Sequence, residues 1–269
     1  MLKAKQLAQL FLIFFASQSA FSQLGFSHEI GVITGPVTFQ SDFGERNDFS
    51  TNKGNSGIGF GLVHYINFAY RADCNCYTTD NFFNDHFKLR TELSYNKTKL
   101  NHFGEWVVDS KVSEDSKKLR AHEGEANNFD IGMQLEYFPL SIRSFQSFGY
   151  RFAPFISLGA HYVSYNPKVS TSYTGNNDAG NIQNLNNFYS YWSTPGLPDP
   201  IDVSPGSTWS IVSSIGVRYK IAPLSDLMLD LRWQYYFTDW ADGLNHGLAS
   251  NKNNDWLVWL NFGYIYYLD

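Results

Sequence analysis

Apolar and polar residues alternate along several stretches of the chain, and residues 227–238 show this pattern most clearly. The apolar residues of this stretch are Leu227, Leu229, Leu231, Trp233, Tyr235 and Phe237. The residues between them include Asp230, Arg232 and Gln234. Because successive side chains of a β-strand point to opposite faces, the pattern predicts a strand with one apolar face and one polar, partly charged face.

Eight stretches have a strand-like pattern and length, and polar segments separate them. They are residues 27–39, 56–69, 86–103, 120–138, 150–165, 207–220, 227–238 and 255–268. No strong helical period and no heptad repeat runs through them. A strand that crosses a membrane needs about 9–11 residues, so each stretch is long enough to cross a bilayer and to extend beyond it.

Alternation alone fits a soluble β-sandwich as well as a membrane barrel. Two features favour the barrel: the polar faces carry charges of both signs, and aromatic residues gather near the ends of stretches, as in 233–237 and 264–267. A membrane barrel has an apolar outer surface, a polar interior and aromatic girdles, and it closes because lipid cannot satisfy an open sheet edge. We therefore predict an all-β fold, an eight-stranded antiparallel transmembrane β-barrel.

The composition of the 269 residues excludes several other classes of protein. Aromatic residues make up 17% of the chain, which excludes intrinsic disorder. The sequence lacks the repeated long apolar runs of a helical membrane bundle. A formal net charge of −5 gives no reason to expect binding to nucleic acid.

The chain begins with a short basic segment, an apolar stretch over residues 7–16 and small residues up to Ser22. This order predicts a secretory signal peptide over 1–22 and a mature outer-membrane barrel over 23–269. Both ends of the wall then lie in the periplasm. The outer loops are 40–55, 104–119, 166–206 and 239–254, and the inner turns are 70–85, 139–149 and 221–226. The outer loops are the longer set, as is usual in such barrels.

Charged residues on the polar faces are expected to point into the barrel. They are Glu29, Arg90, Glu92, Asp130, Glu136, Arg218, Asp230 and Arg232, and Lys88 is a further candidate. An isolated buried charge is very costly, so these groups should form ion pairs that plug a narrow lumen. A gated channel or a proton path is the alternative interpretation.

The sequence offers little for catalysis or metal binding. It contains no nucleophile elbow, P-loop, zinc-protease motif or C-x-x-C motif, so no catalytic residue and no metal site is predicted. A lipid-modifying enzyme that uses His102 or His122 at the outer end is the alternative. Asp239 and Asp242 provide too few oxygen ligands to complete the coordination shell of a calcium ion, which favours a tight turn at these residues.

The long outer loop 166–206 combines turn-forming residues with aromatic side chains. The aromatic residues are Tyr173, Phe188, Tyr189, Tyr191 and Trp192. Tyr and Trp are frequent anchors in recognition, so these rings can form a binding surface. They can equally pack within the loop or fold over the barrel mouth, and the sequence does not decide between these arrangements.

Several short segments resemble one known family. They are YFPL at 137–140, FAPFISLGAH at 152–161, NPK at 166–168, YFTDW at 236–240 and EIGV at 29–32. Together they resemble the PorG-like outer-membrane proteins of Bacteroidota, a phylum that the leader ending at Ser22 also suits. The long loop 166–206, the turn with Cys74 and Cys76, and the final Leu268-Asp269 depart from that pattern.

The resemblance implies an eight-stranded barrel of the type IX secretion machinery, associated with the periplasmic ring of the translocon, with no enzymatic activity and no cofactor. We therefore expect a structural or anchoring subunit that contacts outer-membrane lipid and other envelope proteins. Its partner is expected to dock at the inner turn through Cys74, Asn75, Cys76 and Tyr77. A subunit of another outer-membrane assembly complex, or an adhesin acting through loop 166–206, remains the alternative.

Overall fold

The computed structural model describes residues 26–45, 48–69, 82–175, 178, 180–193, 199–251 and 253–268. The predicted signal peptide over 1–22 and the predicted docking residues Cys74, Asn75, Cys76 and Tyr77 lie outside the described residues. Within the described residues, no helix has both the length and the apolar character required to span a membrane.

Nine strands are present in the described part of the chain. They are β1 (Ser27–Gln40), β2 (Ser56–Asn67), β3 (Phe87–Asn101), β4 (His122–Tyr137), β5 (Phe152–Tyr165), β6 (Lys168–Thr171), β7 (Gly206–Ala222), β8 (Ser225–Tyr236) and β9 (Trp256–Tyr267). Eight of them pair antiparallel in the order β3-β2-β1-β9-β8-β7-β5-β4, and a β3–β4 pairing closes the ring. The fold is a closed eight-stranded antiparallel β-barrel, which confirms the predicted fold class.

The eight predicted stretches agree with the eight strands of the wall to within a few residues at each end. The ninth strand, β6, was not predicted. It lies inside the predicted loop 166–206 and pairs with the first residues of β4, so that the wall is taller on this side. Three short helices were also missed: α1 (Phe82–His86), α2 (Glu114–Ala121) and α3 (Ile142–Gln146). Helix α2 occupies the outer loop before β4, whereas α1 and α3 lie in inner turns.

The seam between the first and last strands has one interruption. Pairs run from Glu29 opposite Tyr267 to Thr34 opposite Phe262, and pairing resumes at Val37 opposite Trp259. Gly35 and Pro36 lie in the gap. Proline has no backbone N–H and cannot donate to the ladder, which accounts for a break at this point.

Inward side chains of very different size fill the barrel without leaving room for a pore. Trp259 of β9 is fully buried and reaches Gly59 of β2, two strands away in the sheet, where a Cβ atom would lie 2.4 Å from the indole ring. Gly132 is similarly placed against the ring of His161, which is 2.1 Å from the position of a Cβ atom. Small residues on one strand therefore make space for large side chains from another, as expected in a barrel of eight strands.

Candidate functional site

The lumen contains a continuous network of buried charges. All eight charged residues predicted to point inward lie there, each with 3% or less of its surface exposed. Lys88, Lys220 and Asp226 are buried with them. Lys220 and Asp226 were not predicted, although each lies on the same inward face of its strand as a predicted residue: Lys220 with Arg218, and Asp226 with Asp230. That alternation of faces was the signal available in the sequence.

Glu29 and Arg218 join the charges nearest the inner end. Lys88 Nζ lies 2.5 Å from Glu29 Oε1, and Arg218 Nη1 lies 2.6 Å from Glu29 Oε2. Arg218 Nη2 reaches Glu136 Oε2 at 3.1 Å. The guanidinium of Arg218 also lies 4.1 Å from the centre of the Tyr65 ring, a cation–π contact. The four charged side chains tie β1, β3, β4 and β7 together across the lumen.

Glu92 is the centre of the middle part of the network. Its two carboxylate oxygens accept from Arg232 Nη1 at 2.6 Å and Nη2 at 2.7 Å, a bidentate pair. Arg90 Nη2 lies 2.7 Å from the same carboxylate, and Arg90 Nη1 donates to Asp230 at 3.0 Å. Arg232 also lies over the Trp259 ring, at 4.8 Å. Paired charges packed against rings obstruct the lumen.

Towards the outer end, the buried carboxyl group is hydrogen-bonded to uncharged side chains. Asp130 accepts from the amide of Gln234 at 2.6 Å and from that of Asn96 at 3.4 Å. Asn128 donates to Tyr236 Oη at 3.5 Å in the next layer. Amides and a phenol therefore replace arginines above the middle of the barrel.

A folded cap covers the outer end. We call the described residues of 41–55, 102–122, 166–167, 172–205 and 237–255 the outer cap. His102 Nε2 lies 2.8 Å from His122 Nδ1, and the Phe43 ring stacks on both imidazoles with centroid distances of 4.9 and 4.7 Å. Trp192 stacks on His246 with an interplanar angle of 5°. Rings from several different loops thus pack into one layer above the lumen.

Burial keeps the imidazoles of the outer cap uncharged. Burial, followed by the charge of His246, lowers the pKa of His102 to about 3. Burial also lowers the pKa of His246 to about 4. His122 is 1% exposed and points inward. A lipid in the membrane has no access to it, so this geometry gives no support to a lipid-modifying site.

The aromatic residues of loop 166–206 divide between the interior of the outer cap and its surface. Tyr173, Phe188 and Trp192 are buried, and Tyr189 is partly buried. Tyr191 is 64% exposed. Tyr173 Oη donates to Glu114 of α2 at 2.6 Å, which fixes the loop to the helix. Of the arrangements left open by the sequence, the structure places most of these rings over the barrel mouth.

Aromatic rings also form a strip at the inner end of the barrel. Along it, Phe26 contacts Phe68, Phe68 contacts Phe83, and Phe83 stacks on Phe87, with centroid distances of 5.6, 5.4 and 4.7 Å. Phe82 stacks on His86 at 4.1 Å and is itself 61% exposed. We call these six residues the inner aromatic strip. Phe26 precedes β1, and the other five residues lie where the chain leaves β2 and enters β3, on either side of residues 70–81 in the sequence.

The outer wall of the barrel is apolar around its circumference. Exposed apolar side chains include Val32, Phe60, Leu62, Ile131, Met133, Ile156, Leu158, Ile215, Leu231 and Phe262. Exposed Tyr and Trp side chains lie above and below them, among them Tyr95, Tyr162, Trp209, Trp233, Tyr264 and Tyr266. Outward positions of the described strands between these rings carry no charged residue. Such a belt between two aromatic girdles is the surface of a membrane-spanning barrel.

Comparisons with known proteins give structural likenesses only. No protein-family model matches the chain, and no curated protein matches it. Neisserial surface protein A is similar in structure, with a TM-score of 0.42 and 11% identity over 89% of this chain and 96% of that one. OprG from Pseudomonas aeruginosa has a TM-score of 0.40 and 12% identity, over 90% and 97% of the two chains. A major outer membrane protein from Thermus thermophilus has a TM-score of 0.42 and 12% identity, over 90% and 99%.

The chain is an outer-membrane β-barrel protein, as the apolar belt and the aromatic girdles of its own surface indicate. A closed wall leaves no unpaired sheet edge to face hydrocarbon, and the apolar belt provides the contact with lipid. The predicted location and the predicted contact with membrane lipid agree with this architecture.

Proposed function

We propose that this chain is a non-enzymatic structural subunit that anchors a multi-protein envelope complex in the outer membrane. The filled lumen supports an anchor because ion pairs and rings occupy the cross-section that a transport pathway would need. In the proposal, the barrel holds its place in the bilayer while its inner end binds a partner.

The observation that carries this proposal is the inner aromatic strip. Phe82 and Phe83 are 61% and 43% exposed although they lie in a helix at the rim of a folded barrel. Exposed aromatic side chains grouped in one place favour a protein interface, where such rings are common anchors. The strip adjoins residues 70–81, which include the predicted docking residues Cys74, Asn75, Cys76 and Tyr77.

The type IX secretion machinery is the complex that we propose. The support is the resemblance of residues 29–32, 137–140, 152–161 and 236–240 to PorG-like proteins. A periplasmic ring would be reached from the inner end, which is the end that carries the strip.

The proposal is tested by replacing Phe82 and Phe83 with serine and purifying the complex gently from cells that express the tagged chain. We expect the barrel to stay folded and the co-purifying envelope proteins to be lost. Phe148→Ser is the matched control, since Phe148 is a 40% exposed phenylalanine in a different inner turn. Replacing residues 70–85 with a short turn should have the same effect as the double substitution. Intact complexes after both changes would refute docking at this end.

A second candidate function is ligand binding at the cell surface through loop 166–206. The observation in its favour is Tyr191, which projects from the outer cap while its neighbour Trp192 is buried. Tyr191→Ala should then abolish binding to the ligand without affecting secretion or partner capture. The anchoring function is favoured if capture of the partner requires the inner aromatic strip and if Tyr191→Ala has no effect on binding at the cell surface.

A further inference from the structure

Outward side chains of five neighbouring strands form a row of rings with one gap. The members of the row are Phe262, Thr34, Phe60, Tyr95 and Phe129, which lie opposite one another on β9, β1, β2, β3 and β4. The four aromatic side chains are 43–54% exposed. Thr34 carries no ring, so the row has a notch on β1.

The notch is part of a groove along the outer face of β1. In the adjacent row, Val32 lies between Leu62 of β2 and Tyr264 of β9. Valine and threonine therefore form the floor, and larger side chains on both sides form the walls. The cavity over this floor extends towards β3 and has a volume of about 640 Å³. We call the following residues the β1 groove: Val32, Thr34, Phe60, Leu62, Phe262 and Tyr264.

The width of the β1 groove selects its occupant. The strands β2 and β9 flank β1, so they are two strand spacings apart, roughly 9–10 Å. Nonbonded carbon atoms touch at about 3.5–4.0 Å, so one extended hydrocarbon chain fits between the walls. An α-helix with its side chains is about 10–12 Å across and is too wide. The groove is also continuous with the apolar belt that contacts membrane lipid, so lipid chains are the hydrocarbon that reaches it.

A row of polar side chains marks where the hydrocarbon ends on this side of the barrel. His28, His64 and Thr91 face outward near the inner ends of β1, β2 and β3. His28 Nδ1 lies 3.0 Å from His64 Nε2, and His64 Nδ1 lies 3.2 Å from Thr91 Oγ1. The two imidazoles are stacked with an interplanar angle of 13°. Polar groups are costly in hydrocarbon, so this row belongs at the level of the lipid headgroups.

The notch lies about one leaflet away from this polar row. Thr34 follows His28 by six positions on β1, which is about 20 Å of extended strand. With a tilt of about 35–45°, this length spans roughly 14–16 Å along the membrane normal. Half of the hydrocarbon core of a bilayer is about 15 Å thick. A lipid whose headgroup lies beside the two histidines therefore reaches Thr34 with the end of its chain.

We propose that the β1 groove binds one acyl chain of a phospholipid from the inner leaflet of the outer membrane, with the headgroup beside His28 and His64. The chain runs over Val32 and ends at the notch. It covers the pairing of β1 with β2 and with β9, immediately before the β1–β9 ladder is interrupted at Gly35 and Pro36. The site therefore places lipid against the seam of the barrel.

The test uses the full mature chain refolded in detergent micelles and supplied with phosphatidylethanolamine that carries a photoreactive diazirine at the end of one acyl chain. We expect cross-links to residues 32–34, 60–62 and 262–264, and one retained phospholipid per chain in native mass spectrometry. Unlabelled phosphatidylethanolamine should compete, whereas lipid A, whose headgroup lies in the outer leaflet, should not. Cross-links spread evenly around the apolar belt would overturn the proposal, and so would competition by lipid A alone.

Three variants assign the retained lipid to the notch. Thr34→Phe fills the notch and should lower the retained fraction about fivefold or more, because the ring takes the space of the chain. Thr34→Val removes the hydroxyl that donates to the Gly59 carbonyl at 3.0 Å but keeps the size, so retention should not change. Ala160→Phe is the matched control, because Ala160 is a small exposed residue on β5, the strand opposite β1 in the ring.

The shift in gel mobility on heating checks that each variant folds. Equal retention by the wild-type chain and by Thr34→Phe overturns the proposal. An equal loss in Ala160→Phe overturns it as well, since the lipid would then not be specific to β1.

Discussion

Glu92 offers the sharpest test of the charged lumen. Its carboxylate is shared by two guanidinium groups, with Arg232 bound through both oxygens at 2.6 and 2.7 Å and Arg90 at 2.7 Å. All three side chains are 0% exposed. Glu92→Gln keeps the size of the side chain but removes the charge. Among the described residues, Arg232 then has no carboxylate within ion-pair distance, and it packs on the Trp259 ring.

Removing one partner of a buried pair leaves an uncompensated charge, which costs about 3–5 kcal/mol. That loss is a large part of the roughly 5–15 kcal/mol by which folded proteins are usually stable. Arg90 reduces the local loss because it retains Asp230, with Nη1 3.0 Å from the carboxylate. We therefore expect a loss near the lower end of this range, about 3 kcal/mol.

The free energy of unfolding can be measured by urea titration of the chain in detergent micelles, followed by tryptophan fluorescence. Glu105→Gln is the control, since Glu105 is exposed in an outer loop and should change stability by no more than about 0.5 kcal/mol. The double variant with Glu92→Gln and Arg232→Met should recover most of the loss, because replacing both partners removes the unpaired charge. A loss below about 1 kcal/mol for Glu92→Gln would refute the dry, ion-paired lumen, since only water or mobile ions could compensate so fully.

The lumen and the outer cap lead to three further predictions. Gly59→Ala places a Cβ atom 2.4 Å from the Trp259 ring and should lower the free energy of unfolding by about 1–3 kcal/mol in the same urea assay; an unchanged midpoint would show that the indole can move. The wild-type barrel should give no stepwise ion currents in planar bilayers, because paired arginines fill its lumen, and regular current steps would contradict this. The pKa of His102 falls from 6.5 to about 3 on folding, so the folded cap binds fewer protons than the open one. Neutral His102 therefore makes its full contribution to the stability of the folded cap above pH 6.5, and this contribution is lost as the pH falls towards 3. Proteolysis of residues 180–193 should increase at about pH 4, and less so in His102→Gln.

The wall could be predicted from the sequence because a membrane imposes a simple rule on every strand. Each strand faces lipid on one side and the lumen on the other, so the period of two in residues 227–238 locates both the strand and its inward charges. The same rule would have found Lys220 and Asp226. These residues lie near the inner turn, beyond the most regular part of the pattern.

The outer cap could not be predicted in this way. Its contacts join residues far apart in the chain, such as Asn251 and Asp42, which are separated by 209 positions. No periodicity links such pairs, and loop conformation depends on the tertiary contacts themselves. Asp239 and Asp242 stand out in the sequence as acidic neighbours, but nothing there indicates that Asp42 joins them. The positions of the loop rings stayed undecided for the same reason.

The interrupted seam has a consequence for how the protein is made. Residues 256–267 follow all the other strands of the wall in the sequence, and only they can complete the ladder that begins at Glu29. Without them the sheet has two unpaired edges, and hydrocarbon cannot accept either of them. Stable insertion into the bilayer therefore requires that β9 is already available to pair with β1. The missing pairs at Gly35 and Pro36 weaken this seam locally in the closed wall.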